Sequence, residues 1–173
     1  ITYRAFDDRY TYYTGKTKGF MESPRYDVFK HIVGKDNFCL ITNRQIKIDN
    51  ISHFFITKHL SDLHVIETAN ANPNHFPLYL YPNEIGQQNA FGTSERVPNL
   101  NMEIIKQIAT GLGLTFTNEK EETPNTFAPI DLLDYIYAVL HSPTYREKYK
   151  EFLKIDFPRV PYPKDAATFW KLV

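Results

Sequence analysis

The chain changes its apolar periodicity partway along, and that change constrains the fold more than any other feature. Up to about residue 98 the apolar residues come in short runs rich in aromatic and β-branched side chains. Each run is bounded by turn formers, which is the pattern of short strands. These runs predict strands at 2–6, 10–13, 37–42, 53–57, 63–68 and 76–81. Ser23-Pro24 followed by Tyr26, Phe29, Lys30 and Val33 predicts one short helix stopped by Gly34. Residues 70–75 and 82–98, rich in amides, proline and glycine, read as loops. From Asn99 onward the period becomes helical. Leu100, Ile104, Ile105, Ile108 and Leu112 form a one-sided stripe, with Asn99 or Asn101 as cap and Gly111 and Gly113 as the stop.

Two more helices follow at once. Pro129 suits a first helical turn, and Asp131 places a carboxylate where the helix dipole favours one. The apolar positions behind it are Ile130, Leu133, Ile136, Tyr137 and Leu140. Ser142-Pro143 is a cap and first-turn proline that restart a helix carrying Tyr145, Tyr149, Phe152 and Leu153. Residues 156–163 hold three prolines and predict a stiff extended arm, and a last helix begins near Asp165. Strands first and helices after define an α+β fold: one domain over 1–173, with 1–98 mostly strands and loops and 99–173 mostly helices. The expected helical core is Ile104, Ile108, Leu112, Ile130, Leu133, Tyr137 and Leu140. Both ends, Ile1 without a preceding Met and Val173 directly after a helical pattern, read as cuts inside a longer polypeptide.

Net charge is zero, which argues against a simple polyanion binder. The charge is uneven, however. Residues 1–60 carry ten basic and six acidic side chains, a surplus of +4 that the rest of the chain offsets. Such a half can present one positive face, or merely a solvated surface. The single cysteine, Cys39, lies in an apolar run. It excludes an internal disulfide or thiolate zinc site, reads as a buried inert thiol, and is compatible with a reducing cytoplasm. No apolar run approaches the length of a membrane span, and no signal peptide is visible.

Catalytic constellations do not emerge. Glu103 with Lys106 and Glu151 with Lys154 are i,i+3 helix pairs, better read as surface ion pairs than as a nuclease centre. Asn72-Pro73-Asn74-His75 lacks the aromatic platform that a base-flipping methyltransferase tetrapeptide needs. Gly111 and Gly113 lie at a helix end and not between a strand and a helix, so they are no nucleotide loop. His59 and His64, with Asp62 between them, lack metal-ligand spacing.

A set capable of recognition remains. Asn43-Arg44-Gln45 follows a predicted strand, and these residue types can bond adenine or guanine edges bidentately. The tripeptide reads first as an ordinary polar turn. From Arg9 through Tyr10, Tyr12 and Tyr13 to Lys16 and Lys18, cations alternate with aromatics. That pattern suits a phosphate-tracking surface or an exposed hairpin.

Tyr3-Arg4-Ala5-Phe6-Asp7-Asp8-Arg9-Tyr10 resembles a Tyr-Arg-Pro-Phe-Asp-x-Arg signature, with Ala5 in place of the proline. Leu40–Gln45, Phe76–Pro82, Pro129–Tyr137, Tyr145–Tyr149 and Phe157–Pro161 follow in the expected order. Together they are similar to the C-terminal specificity domain of type ISP restriction enzymes and related adenine-specific DNA methylases. The resemblance implies a part that recognises duplex DNA and positions an upstream adenine methyltransferase, with a nuclease, within a bacterial defence enzyme. It implies no catalytic residue here. S-adenosylmethionine, Mg and ATP are expected only in upstream domains, and the expected partners are double-stranded DNA and the methyltransferase domain. Base reading is expected from loops at 14–22, 58–75 and 82–97. Arg9, Lys16, Lys18, Arg25, Asn43, Arg44, Gln45, Lys47 and Lys58 are the candidate DNA contacts, expected on one side of the strand-rich half. The competing reading is a docking module that braces the methyltransferase and touches DNA little.

Overall fold

A computed structural model describes residues 1–18, 23–45, 54–66, 73–82 and 95–173. It is an α+β fold made of two compact units. The strand-rich unit comprises Ile1–Ile41 and Phe55–Asn99; the helical unit comprises Thr42–Phe54 and Leu100–Val173. The segment Thr42–Phe54 therefore groups with the helices, although it precedes them by many residues.

In the strand-rich unit, β1 (Thr2–Arg4) and β2 (Asp7–Asp8) pair antiparallel through a turn at Ala5-Phe6, where one strand over 2–6 was expected. Phe6 takes a left-handed φ of 63° at that turn and is 98% exposed. Helix α1 is a single turn, Tyr26–Phe29, continued by turns as far as Gly34. A three-stranded sheet has the order β4 (Phe54–Thr57), β3 (Cys39–Thr42), β5 (Asn74–Pro77). β6 (Tyr79–Leu80) pairs antiparallel with β7 (Val97–Pro98). Residues 10–13 form no strand, and Tyr10 and Tyr12 are exposed. Residues 63–66 are turn and bend. Asn74 and His75, expected in a loop, begin β5.

Two small clusters hold this unit. Phe29, Ile32, Cys39 and Leu60 make one; Ile41, Val65 and Ile66 make the other. Burial pushes the Cys39 thiol up to about 12, so it stays protonated and inert. Asn37 is buried, and both ends of its amide are used. It donates to the carbonyls of His31 and Tyr79 and accepts the Tyr79 N–H, tying the end of α1 to β6.

The helical unit follows its sequence signals closely. Asn101 caps α2 (Met102–Leu112) by accepting from the N–H groups of Glu103 and Ile104. Gly113 ends the helix at φ 64°, a conformation cheap only without a Cβ, while Gly111 lies inside it. Short strands β8 (Thr115–Phe116) and β9 (Thr126–Phe127) pair in parallel, and the sequence pattern does not predict them. Then come α3 (Pro129–His141), α4 (Pro143–Leu153) capped by Ser142, and α5 (Ala166–Leu172) capped by Asp165. The arm between α4 and α5 has no regular structure. It is held by phenols: Tyr135 donates to the Pro161 carbonyl at 2.9 Å and Tyr145 to that of Arg159 at 3.0 Å.

The core of this unit gathers Ile105, Ile108, Leu112, Phe127, Leu132, Tyr135, Val139, Leu140, Leu153 and Phe169. Of the expected core residues, Ile108, Leu112, Leu133 and Leu140 are buried, Ile130 and Tyr137 are half-buried, and Ile104 is 38% exposed. The buried stripe of α2 runs Ile105, Ile108, Leu112. Ile104 lies one residue, or about 100°, off it.

Candidate nucleic-acid interface

The β1–β2 hairpin displays its cations around one ring. The Arg4 and Arg9 guanidiniums lie 4.1 and 4.0 Å from the centroid of Tyr3. Arg9 is also gripped by Asp7, with Nε at 3.2 and 3.1 Å from the two carboxylate oxygens and Nη2 at 2.7 Å from one of them. That bond holds the Asp7 carboxyl below the usual range and raises Arg9. Beyond Arg9 the chain runs exposed through Tyr10 and Tyr12 to Gly15, Lys16 and Lys18. Gly15 has φ 66°, and a Cβ there would stand 2.8 Å from the Tyr26 ring, so glycine is required at this bend. Neither Lys16 nor Lys18 has an acidic partner among the described residues.

Arg25 lines a groove together with Arg9 and Tyr10. Tyr13 donates its hydroxyl to the Pro24 carbonyl and so anchors the segment. Arg25 itself has a left-handed φ of 47° and lacks a carboxylate partner among the described residues. Its Nη1 donates to the Pro73 carbonyl at 3.0 Å and lies 3.3 Å from Nδ1 of His75. The other imidazole nitrogen, Nε2, contacts the hydroxyl of buried Ser61. Burial first, and the Arg25 charge second, push His75 down to about 4, so it is neutral near pH 7. These groups line a groove of about 740 Å³ whose walls include Arg9, Tyr10, Arg25, Ser61, Asp62 and His75. The remaining candidate of this unit, Lys58, lies 3.4 Å from Asp36 and 4.4 Å from the Phe38 ring centroid.

The tripeptide Asn43-Arg44-Gln45 belongs to the helical unit, so the candidates are not all carried by the strand-rich one. Asn43 is 3% exposed, and neither side-chain nitrogen nor oxygen has a hydrogen-bond partner among the described residues. Arg44 Nε donates to Asp156 at 3.0 Å, and Gln45 donates its amide to the Ile155 carbonyl at 3.1 Å. The backbone N–H of Phe157 and then Arg44 lower the Asp156 carboxyl. Lys47 lies outside the described residues, as do parts of all three loops expected to read bases.

The other sequence motifs resolve individually. Glu151 and Lys154 pair at 2.9 Å, whereas Glu103 and Lys106 form no such pair among the described residues. His64 contacts Asp62 at 3.4 Å, and His59 faces Asp8 at 3.9 Å, so the two histidines serve different carboxylates. Among the described residues no group of three His, Cys, Asp or Glu side chains could hold a metal, and no helix is long and apolar enough to cross a membrane. The sequence pattern does not single out His75 or Ser61. Ser61 lies 14 residues from His75, and Arg25 lies 50 from it, so no local spacing announces the group.

Fold and candidate surface thus define an α+β module that exposes cations and aromatic rings on its strand-rich unit. The chain belongs to the Type ISP C-terminal specificity domain family, whose model matches residues 1–173. No curated protein sequence matches it. Solved structures that share its fold include two bound to DNA. One is described as an ATP-dependent Type ISP restriction-modification enzyme, LlaBIII, bound to DNA: TM-score 0.52, 22% identity, 78% of this chain and 8% of that one. The other is a DrdV–DNA complex: TM-score 0.62, 24% identity, 89% of this chain and 13% of that one. The chain thus spans about a tenth of the length of each.

Proposed function

We propose that this chain recognises a sequence in duplex DNA for a restriction–modification enzyme and positions an adenine methyltransferase, with a nuclease, carried by the same polypeptide. The observation that carries the reading is membership of a specificity-domain family over the whole chain. The DNA complexes of the two fold neighbours support it. So do the cations Lys16, Lys18 and Arg25, which have no carboxylate partner among the described residues of their unit. Under this reading S-adenosylmethionine, Mg and ATP act elsewhere in the polypeptide, in a cytoplasmic enzyme. The bracing-module alternative draws on zero net charge and on the internal pairing of Arg9, Arg44 and Lys58, which lowers the charge offered to phosphates.

The deciding experiment maps methylation sites with the intact protein carrying this chain, before and after exchange of the chain for a homologous specificity domain. A changed target sequence is the expected result. An unchanged target, with methylation retained, establishes the bracing role instead.

A further inference from the structure

We propose that the groove of the strand-rich unit binds one nucleoside phosphate, its phosphate on Arg25 and its base against Arg9 and Tyr10. For a nucleotide within a DNA strand the inference rests on the DNA-recognition reading; for a free nucleotide it does not.

The first argument is charge. Among the described residues Arg25 is held by one nitrogen only, through the Pro73 carbonyl and the His75 ring. The rest of its planar fork remains available to two oxygens of one anion, the geometry that a guanidinium offers to phosphate. Its surroundings do not neutralise it, since Ser61 and His75 are uncharged. Among the described residues the one carboxylate on the wall, Asp62, is already engaged. Arg4 lies 3.5 Å from its Oδ1 and the His64 ring 3.4 Å, and the His64 N–H donates to it at 2.8 Å. The left-handed backbone at Arg25 is a conformation that a non-glycine residue holds at a cost, of a kind that clusters at ligand clamps.

The second argument is shape and surface. A groove of about 740 Å³ is larger than a bare anion needs and falls in the size range of small-molecule sites. Tyr10 on its rim is fully exposed. Arg9 is backed by Tyr3 and oriented by the Asp7 carboxylate, yet its side chain remains 57% exposed. A guanidinium plane fixed in this way, beside an exposed phenol ring, is a stacking surface for an unstacked base.

The test uses the intact protein carrying this chain, with Arg25→Gln and Tyr10→Ala variants. Calorimetry with deoxyadenosine monophosphate and with inorganic phosphate reports the free ligand. Duplexes carrying single 2-aminopurines report an unstacked base, whose emission rises on leaving the stack. The expected result is a signal in one or both arms. Arg25→Gln should weaken it about ten- to hundredfold, and Tyr10→Ala should shift the bound 2-aminopurine emission. Tyr10 buries nothing, so that variant keeps the test valid even where Arg25→Gln fails to fold. Nucleotide binding without any DNA binding upholds the groove and defeats the DNA reading. Wild-type DNA binding by both variants, with no nucleotide bound, defeats the groove and leaves the DNA reading standing. Phosphate bound as tightly as the nucleotide, with no effect of Tyr10→Ala, overturns the nucleotide assignment.

Discussion

Asp131 Oδ2 accepts the backbone N–H of Ala128 at 2.8 Å, so the third residue of α3 satisfies a donor that the helix itself leaves open. The same carboxylate receives Lys120 through its other oxygen and is only 3% exposed. Asp131→Ala leaves the Ala128 N–H buried without a partner and should cost about 1–3 kcal/mol in urea unfolding. Asp131→Asn, which keeps an acceptor, should recover part of that loss.

Burial separates two leucine-sized residues of the helical unit. Leu133 is 4% exposed and Ile104 is 38% exposed. Leu133→Ala should lower stability by about 2–5 kcal/mol, and Ile104→Ala by well under that range. Equal thermal midpoints for the two variants would contradict the packing described.

Acid should destabilise the strand-rich unit through His75. Its folded value of about 4 lies below the unfolded value of 6.5, so the unfolded chain binds the extra proton between those limits. Stability is therefore undiminished above pH 6.5 and falls as pH drops towards 4, by about 3 kcal/mol at most. Burial shifts His31 and His141 in the same direction. Melting curves from pH 7.5 to 4.5 should show the decline, and His75→Gln should flatten it.

If the chain reads DNA as proposed, its candidate contacts should divide by type. Lys16→Ala or Lys18→Ala should weaken binding to all duplexes alike. Each phosphate left without its lysine should reduce the salt dependence by about 0.9 log unit per log unit of salt. Arg44→Ala or Gln45→Ala should act on discrimination, by about 1–3 kcal/mol at one base pair. Arg44 must first leave Asp156, so Asp156→Asn should tighten DNA binding without changing the preferred sequence. Titrations on cognate and single-base-changed duplexes at two salt concentrations would reveal either pattern.

The helical half was legible in the sequence because its determinants are local. Asn101, Pro129 with Asp131, Ser142 with Pro143, Asp165 and Gly113 each act within one turn of the chain, and each stands where a helix begins or ends. The α+β class, the buried Cys39 and the family resemblance were readable for similar reasons: they depend on residue type and order. The strand half was less readable because a strand exists only when another pairs with it. Tyr10–Tyr13 has the composition of a strand and is none, while Val97-Pro98 has little strand character and pairs with β6. The same limit hid the groove. Arg25 meets Pro73 and His75 across about fifty residues, and Arg44 meets Asp156 across more than a hundred. Which cations are neutralised is settled only in part along the chain: Asp7 meets Arg9 from two residues away, but Arg44 and Lys58 reach their carboxylates only because folding brings distant residues beside them.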